Sequence, residues 1–333
     1  MQYGLQNWHE TSSGAVLDWQ MKMDVSVVIV NWNARELLRD CLASIIQETR
    51  QISYEIIVVD NASTDGSSAM CRQEFPRVTL IANEVNRGFA AANNIGMQAA
   101  TGRYMLLLNP DTVVLDNAIG RCVVYADEHP DIGVLGCKVL ERDDQLQRTG
   151  FSFPSPWTLF LTLSGLCHLF PRSPVFSKPQ LGWWNRDSIE DIDVISGMFM
   201  LTRHDAIRQV GLMDEAYFVY AEEADWCFRF AKAGWRRVFY PYAKIIHVDG
   251  GGKSTSQVNV KMQVQLQKSL MIYFRKNLGF GSWAIAKTLF LFSDAARYIG
   301  WIISSSLTGS AVGRSKAAAA AAAFRFHLFG ANP

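Results

Sequence analysis

The chain holds six cysteines in 333 residues, and no two of them form a CxxC pair or a zinc-like spacing. That absence excludes a zinc ribbon and a dithiol redox centre, and scattered cysteines fit packing roles in a reducing compartment. Charge of one sign is lacking as well. With 32 Lys and Arg against 31 Asp and Glu the net charge is +1, so charge alone points to no polyanion and no nucleic acid. No apolar run reaches a clean transmembrane length. The nearest, Phe280 to Leu307, is interrupted by Lys287, Asp294 and Arg297; it suits a buried helical pair or a stretch lying in a membrane interface. Residues 1–23 have no apolar h-region, so they read as a loosely ordered extension and not as a signal peptide. No GxGxxG follows the first apolar run, which argues against hydride transfer from a dinucleotide. Gly252-Lys253-Ser254 resembles the end of a P-loop, but His247 stands where that pattern needs its first glycine.

What is present is a 49% hydrophobic, globular composition with short apolar runs at even spacing. Val25–Val30, Glu55–Val59, Val78–Ala82 and Tyr104–Leu108 are too short for helices and predict buried strands. Between the first two, Leu38, Cys41, Leu42 and Ile45 recur at helical spacing, with Asn33 placed to cap that helix. Gly88–Ala100 predicts another helix. A helix to Glu128, a strand over Ile132–Leu140 and a strand over Val194–Thr202 follow. Val238–Tyr240 predicts a strand that Pro241 turns. Residues 150–190, rich in Pro, Phe, Trp and Leu, read as a long, partly mobile segment that covers a site or faces a membrane. Lys316–Ala323 is mostly alanine and carries no chemistry. Strands alternating with helices at this spacing predict a doubly wound, parallel α/β sheet.

Two carboxylates end strands. Asp60 closes the second, and Asn109-Pro110-Asp111 follows the fourth. Right-handed crossovers put the C-terminal ends of parallel strands on one edge, where ligands bind, so Asp60 and Asp111 are expected to face one crevice. Asn-Pro-Asp is also a good turn, and a lone carboxylate there is a natural ligand for a divalent cation carrying a phosphate. A second cluster, Glu222, Glu223 and Asp225, lies at the mouth of a helix between aromatics. The helix dipole favours acids there, and aromatic walls raise a carboxyl pKa toward that of a general base. His247, at a strand end beside Gly250–Gly252, is a ligand candidate.

Taken in order, VSVVIVNWN (25–33), VVDNASTDGS (58–67), NRGFAAANNIG (86–96), LLLNPDT (106–112) and GLMDEAYFVYAEEADWCFR (211–229), followed by His247, resemble the family 2 glycosyltransferases. Within that family they look like the bacterial rhamnosyltransferase-like branch that builds surface polysaccharides. The resemblance covers about residues 24–278. It implies a GT-A fold, Rossmann-like and mostly parallel, and inverting transfer from a nucleotide-sugar. It places Asn31, Asp60, Asn61, Arg87, Asn109 and Asp111 around the donor, with Asp60 on the base or ribose. Asp111 and His247 become the ligands of Mg²⁺ or Mn²⁺. Where the family has Glu-Asp-x-Asp this chain has Glu222-Glu223-Ala224-Asp225, so the base falls to Glu223, then Glu222, then Asp225. The glycine segment after His247 is longer than the common pattern, which leaves Ser254 without a role.

The organisation expected is an extension (1–23), a transferase domain (24–278) and a helical, membrane-interfacial C-terminal region (279–333). The donor expected is dTDP-rhamnose, then a UDP-sugar. The acceptor is a saccharide or a lipid-linked saccharide at the cytoplasmic face of the inner membrane, with peripheral membrane contact and a homo-oligomer as further partners. Two rival classes stand beside this. A sugar nucleotidyltransferase needs a glycine-rich basic loop after the first strand, where this chain has Asn31-Trp32-Asn33-Ala34-Arg35. A degenerate glycan-binding or scaffold protein draws on Glu223 and Asn109 standing where the family has aspartates.

Overall fold

A computed structural model describes residues 23–248 and 260–330. The extension before Met23 and the Gly250–Ser254 run lie outside the described residues. The first half of the chain alternates strand and helix: β1 (Met23–Asn31), α1 (Arg35–Glu48), β2 (Tyr54–Asp60), α2 (Ser67–Glu74), β3 (Thr79–Ala82), α3 (Phe89–Ala99) and β4 (Gly102–Leu108). These four strands are parallel and lie side by side in the order β3-β2-β1-β4. Side chains alternate between the two faces of a strand. Val25, Val27 and Ile29 accordingly enter one core with Leu106 and Leu108, and Val28 enters another with Met105 and Leu107. Burial on both faces is why these strands read as unbroken apolar runs.

The sheet continues as β9-β6-β10-β5, built from β5 (Thr112–Leu115), β6 (Ile132–Leu140), β9 (Phe199–Arg203) and β10 (Arg236–His247). Here the mostly parallel sheet takes in its antiparallel strands. β9 is antiparallel to both β4 and β6, and β5 is antiparallel to β10. Pro241 does not turn the chain out of the sheet. β10 runs through it, and the register against β6 shifts between Tyr240 and Lys244, so the residue that cannot donate to the ladder sits at the irregularity. Two short strands, β7 (Leu146–Gln147) and β8 (Glu190–Asp191), pair with β6 and β10. The remaining helices of this unit are α4 (Ala118–Glu128), α5 (Pro156–Leu163), α6 (Leu166–Leu169), α7 (His204–Val210) and α8 (Glu222–Lys232).

Asn33 does not cap α1. It has φ +53°, and its Oδ1 accepts from the Thr64 backbone. The cap comes from the neighbouring loop: Asp65 accepts from Arg35 N at 2.8 Å and from Ser67 N at 3.0 Å, serving the starts of two helices. Residues 150–190 are organised around a buried cation. Arg186 is fully buried and donates to five carbonyls, those of Thr149, Gly150, Gln180, Leu181 and Trp184. Each bond to a charged donor holds a loop carbonyl that would otherwise need water.

The chain ends in two helices, α9 (Val260–Thr308) and α10 (Ala311–Phe329). α9 breaks at Gly279, whose φ is +80°. Gln267, Asp294 and His327 meet between the helical segments: Gln267 donates to Asp294 at 3.1 Å and lies 2.7 Å from His327. Burial raises Asp294 to about 6 and lowers His327 to about 4, so both resist charging there. Among the described residues no helix is long and apolar enough to cross a membrane.

Candidate active site

Parallel pairing sets Asn31 at the end of β1 beside Asp60 at the end of β2. Asn31 Nδ2 donates to Asp60 Oδ1 at 2.9 Å, and the second oxygen accepts from Ser63 N and Ser68 Oγ. Asp60 is nearly fully buried and held in one orientation. Asn61 organises the next loop. Its Nδ2 donates to Asn86 Oδ1 and Gly88 O, and its Oδ1 accepts from Asn83 Nδ2 and Arg87 N. Gly88 has φ +83°, and a Cβ there would lie 2.3 Å from the Phe218 carbonyl oxygen. Only glycine allows that approach, which lets Phe89 N donate to Phe218 O at 2.6 Å. The 83–88 loop is thus fastened to the segment leading into α8. The Arg87 side chain is exposed.

The β5–β10 pairing brings the second pair together. It sets Thr112 opposite His247, and Val248 N donates to Asp111 O at 2.8 Å. As a result His247 Nε2 lies 3.1 Å from Asp111 Oδ2. The other ring nitrogen, Nδ1, is 3.0 Å from Gln147 Oε1. A side chain tied through Nδ1 presents Nε2 as the free lone pair, the usual support for a metal-bound imidazole. Adjacent vertices of an octahedron with bonds of about 2.1 Å lie about 3.0 Å apart, so the pair matches two neighbouring ligand positions of a small divalent cation. Among the described residues no third His, Cys, Asp or Glu joins them. Oxygen ligands from water and phosphate suit the remaining positions. Asn109 contributes its backbone: its N–H donates to Met198 O and its carbonyl accepts from Thr112 Oγ1.

α8 begins with strain. Tyr220 and Ala221 both have positive φ, +71° and +64°, a conformation that β-carbon-bearing residues adopt only when their surroundings hold them there. They deliver Glu222 and Glu223 as the first two helical residues. Both carboxyl groups have an oxygen buried without a hydrogen-bond partner. Burial pushes both pKa values up, Glu222 well above the carboxylate range. Their mutual hydrogen bond raises Glu222 further and opposes the rise in Glu223. The two carboxyls titrate as a pair, above the range of exposed glutamates, because burial disfavours charge on both. Raised carboxyl pKa values make this pair favour folding at low pH, and that contribution is lost as pH rises through the folded-state values.

Asp225 is different. It is fully buried, and its oxygens accept from Arg229 Nε at 3.0 Å, Lys276 Nζ at 2.9 Å, Asn277 Nδ2 at 2.8 Å and Tyr217 OH at 3.3 Å. With every lone pair engaged it joins α8 to α9 and has no room for a substrate proton. Gln147, Lys276 and Asn277 were not legible as site residues in the sequence. Gln147 lies on a two-residue strand, and Lys276 and Asn277 lie on a helix that declares no partner.

The profile of glycosyl transferase family 2 matches residues 26–203. The N-acetylglucosaminyl-diphospho-decaprenol L-rhamnosyltransferase of Mycobacterium tuberculosis is 28% identical over 240 residues, covering 66% of this chain and 75% of that one. The O-antigen biosynthesis protein RfbC of Myxococcus xanthus is 22% identical over 70% of this chain and 18% of its own length. Among solved structures, mannosyltransferase PcManGT from Pyrobaculum calidifontis, in complex with GDP-Man and Mn²⁺, superposes with a TM-score of 0.56 at 17% identity. That superposition covers 92% of this chain and 88% of the other, and bears on the fold alone.

Proposed function

The chain belongs to glycosyl transferase family 2, and from that membership we propose an inverting, metal-assisted transfer of a sugar from a nucleoside-diphosphate sugar to a lipid-linked saccharide. L-Rhamnose from dTDP-rhamnose is the first donor and a UDP-sugar the second, in keeping with the mycobacterial relative's name. The product belongs to cell-surface polysaccharide synthesis. The transferase unit is residues 24–278, preceded by residues 1–23 and followed by a helical unit, 279–333, that keeps the protein peripheral at the cytoplasmic face of the inner membrane.

The observation that carries this reading is the convergence of Asp111 and His247 to 3.1 Å beside the crevice edge where β1, β2 and β4 end. Asp60, fixed by Asn31 and Ser68, accepts from the donor's base or ribose. Asn61 shapes the 83–88 loop, and the exposed Arg87 side chain is free to turn toward the diphosphate. Asn109 holds the turn that presents Asp111. Asp111 and His247 would hold a divalent cation, Mg²⁺ or Mn²⁺, which would supply positive charge against the departing diphosphate.

Glu223 takes the proton of the acceptor hydroxyl. That oxygen bonds to the anomeric carbon as the carbon–oxygen bond to the diphosphate breaks, and the bonding electron pair departs on the nucleoside diphosphate. Attack from the face opposite the leaving group inverts the anomeric centre. Glu222 stands beside Glu223 in the same buried pair, whose ionisation burial disfavours. Asp225 positions α8 through Lys276 and Asn277.

Nucleoside diphosphate release from a panel of nucleotide-sugars, measured with Mn²⁺ and with chelator, tests the proposal. Release from dTDP-rhamnose or a UDP-sugar that chelator stops is expected. Absence of release from every donor would exclude the reading.

A further inference from the structure

A small cavity lies where the sheet splays. β6 pairs with β9 only at Val134 and Leu135. Beyond that point Gly136, Val139, Ile195, Met198 and Phe239 wall a space with room for one water-sized group. Among the described residues no charged side chain lines it, so it does not suit a phosphate. Its oxygen-bearing side chains are Thr149 and Ser196. Ser196 Oγ accepts from Met198 N at 3.4 Å. Thr149 is 4% exposed, and its Oγ1 has no hydrogen-bond partner among the described residues. The backbone on both sides of that hydroxyl is fixed, because the carbonyls of Thr149 and Gly150 accept from Arg186 Nε and Nη2, both at 3.2 Å. A hydroxyl buried unpaired costs stability, and a partner that arrives with a ligand recovers the loss.

The cavity lies between the metal pair and the acidic helix. Val139 is paired with Gln147, whose Oε1 meets His247 Nδ1. Thr149 follows Gln147 by two residues, at most about 7 Å of chain. Met198 O accepts from Asn109 N, in the turn that carries Asp111. On the other side the Ile195 backbone meets the Cys227 thiol, about one turn of α8 after Glu223. In the transfer proposed above, the sugar lies between those two groups as it passes from donor to acceptor.

We propose that this cavity takes one hydroxyl of the transferred sugar, with Thr149 Oγ1 as its hydrogen-bond partner; the subsite rests on the transfer reading. Size and lining select the occupant. A single neutral hydroxyl on its carbon fits, and a whole sugar ring does not. Gly136 keeps the space open, since a Cβ there would lie 2.7 Å from Ile195 Cγ2. Thr149 thereby sets donor specificity. A donor with no hydroxyl at that position leaves Thr149 buried and unpaired, and is turned over less well.

Thr149→Val keeps nearly the same shape and removes the hydroxyl. Compared with the wild-type chain on dTDP-rhamnose and UDP-glucose, it tests the proposal. For the donor that the wild type turns over, kcat/KM should fall by about tenfold or more, while inhibition by the free nucleoside diphosphate stays within about twofold. The melting temperature should hold or rise, because the free protein loses no bond. Thr149→Ser, which restores a hydroxyl, should recover most of the lost kcat/KM. A Thr149→Val kcat/KM equal to wild type overturns the subsite and leaves the transfer reading standing. So does a lowered melting temperature, which would show that Thr149 already has its partner, a bound water included, in the free protein. Absence of release from both donors by the wild type removes the transfer reading and the subsite with it.

Discussion

Glu223→Gln is expected to lower kcat by about 10²- to 10⁴-fold, the usual worth of a positioned general base. Nucleotide affinity, read by calorimetry, should stay within about twofold, because the carboxylate acts on the acceptor and not on the donor. The substitution keeps the size of the side chain and its hydrogen bond to Glu222, so packing at the start of α8 is retained. It also changes the pH profile. Burial holds the pair's pKa values above the ordinary carboxylate range. The ionised base is therefore lost as pH falls through a raised value, and the acid limb of the wild-type profile lies at higher pH than for an exposed glutamate. The variant should lack that limb. Wild-type turnover in Glu223→Gln would remove Glu223 from the base position and leave Glu222 as the next candidate. Asp225, fully buried under four donors, would still not qualify.

The second large effect lies on the donor side. Asp111→Ala should weaken Mn²⁺-dependent nucleoside diphosphate binding by about 10²-fold or more, since the pair has one carboxylate and no described protein ligand to replace it. Gln147→Ala is a milder version of the same test. It removes the bond that orients His247 and should weaken metal affinity by about 10- to 100-fold, the usual range for a residue that supports a metal-bound histidine. Equal calorimetric affinities for Asp111→Ala and wild type, with Mn²⁺ present, would show that the diphosphate is held elsewhere.

The parallel half of the fold was legible because both of its faces are buried. Val25, Val27, Val28 and Ile29 are fully buried and needed only their own apolar character to declare a strand. The common edge of Asp60 and Asp111 followed from crossover handedness alone. What escaped were features set by distant partners. Thr112–Leu115 is a four-residue strand whose partner lies at Lys244–His247, and nothing local announces that pairing. β9 is antiparallel because of where the chain has travelled since β6, which the composition of Phe199–Arg203 does not record. Pro241 looked like a terminator because proline cannot donate to a ladder, but a register shift lets a strand continue past it. Asp65 serves two helices across a loop, where Asn33 had seemed the natural cap.

At the candidate site, Asp111, Glu223 and His247 were readable as residue types at strand and helix ends. Their selection as one constellation came from the family resemblance, because 3.1 Å between Asp111 and His247 is a product of the β5–β10 pairing. The separation of the acidic cluster into a proton-sharing pair and an anchor was not readable. Glu222, Glu223 and Asp225 are alike in sequence, and they differ because Arg229, Lys276 and Asn277 converge on only one of them.

The reaction proposed is a single displacement at the anomeric carbon, driven by one base. It is tested most directly by nuclear magnetic resonance of the glycoside formed by the wild-type protein from a nucleotide-sugar and a diphospholipid-linked saccharide. A product whose anomeric configuration is opposite to the donor's is expected. A product with the donor's configuration retained would contradict it.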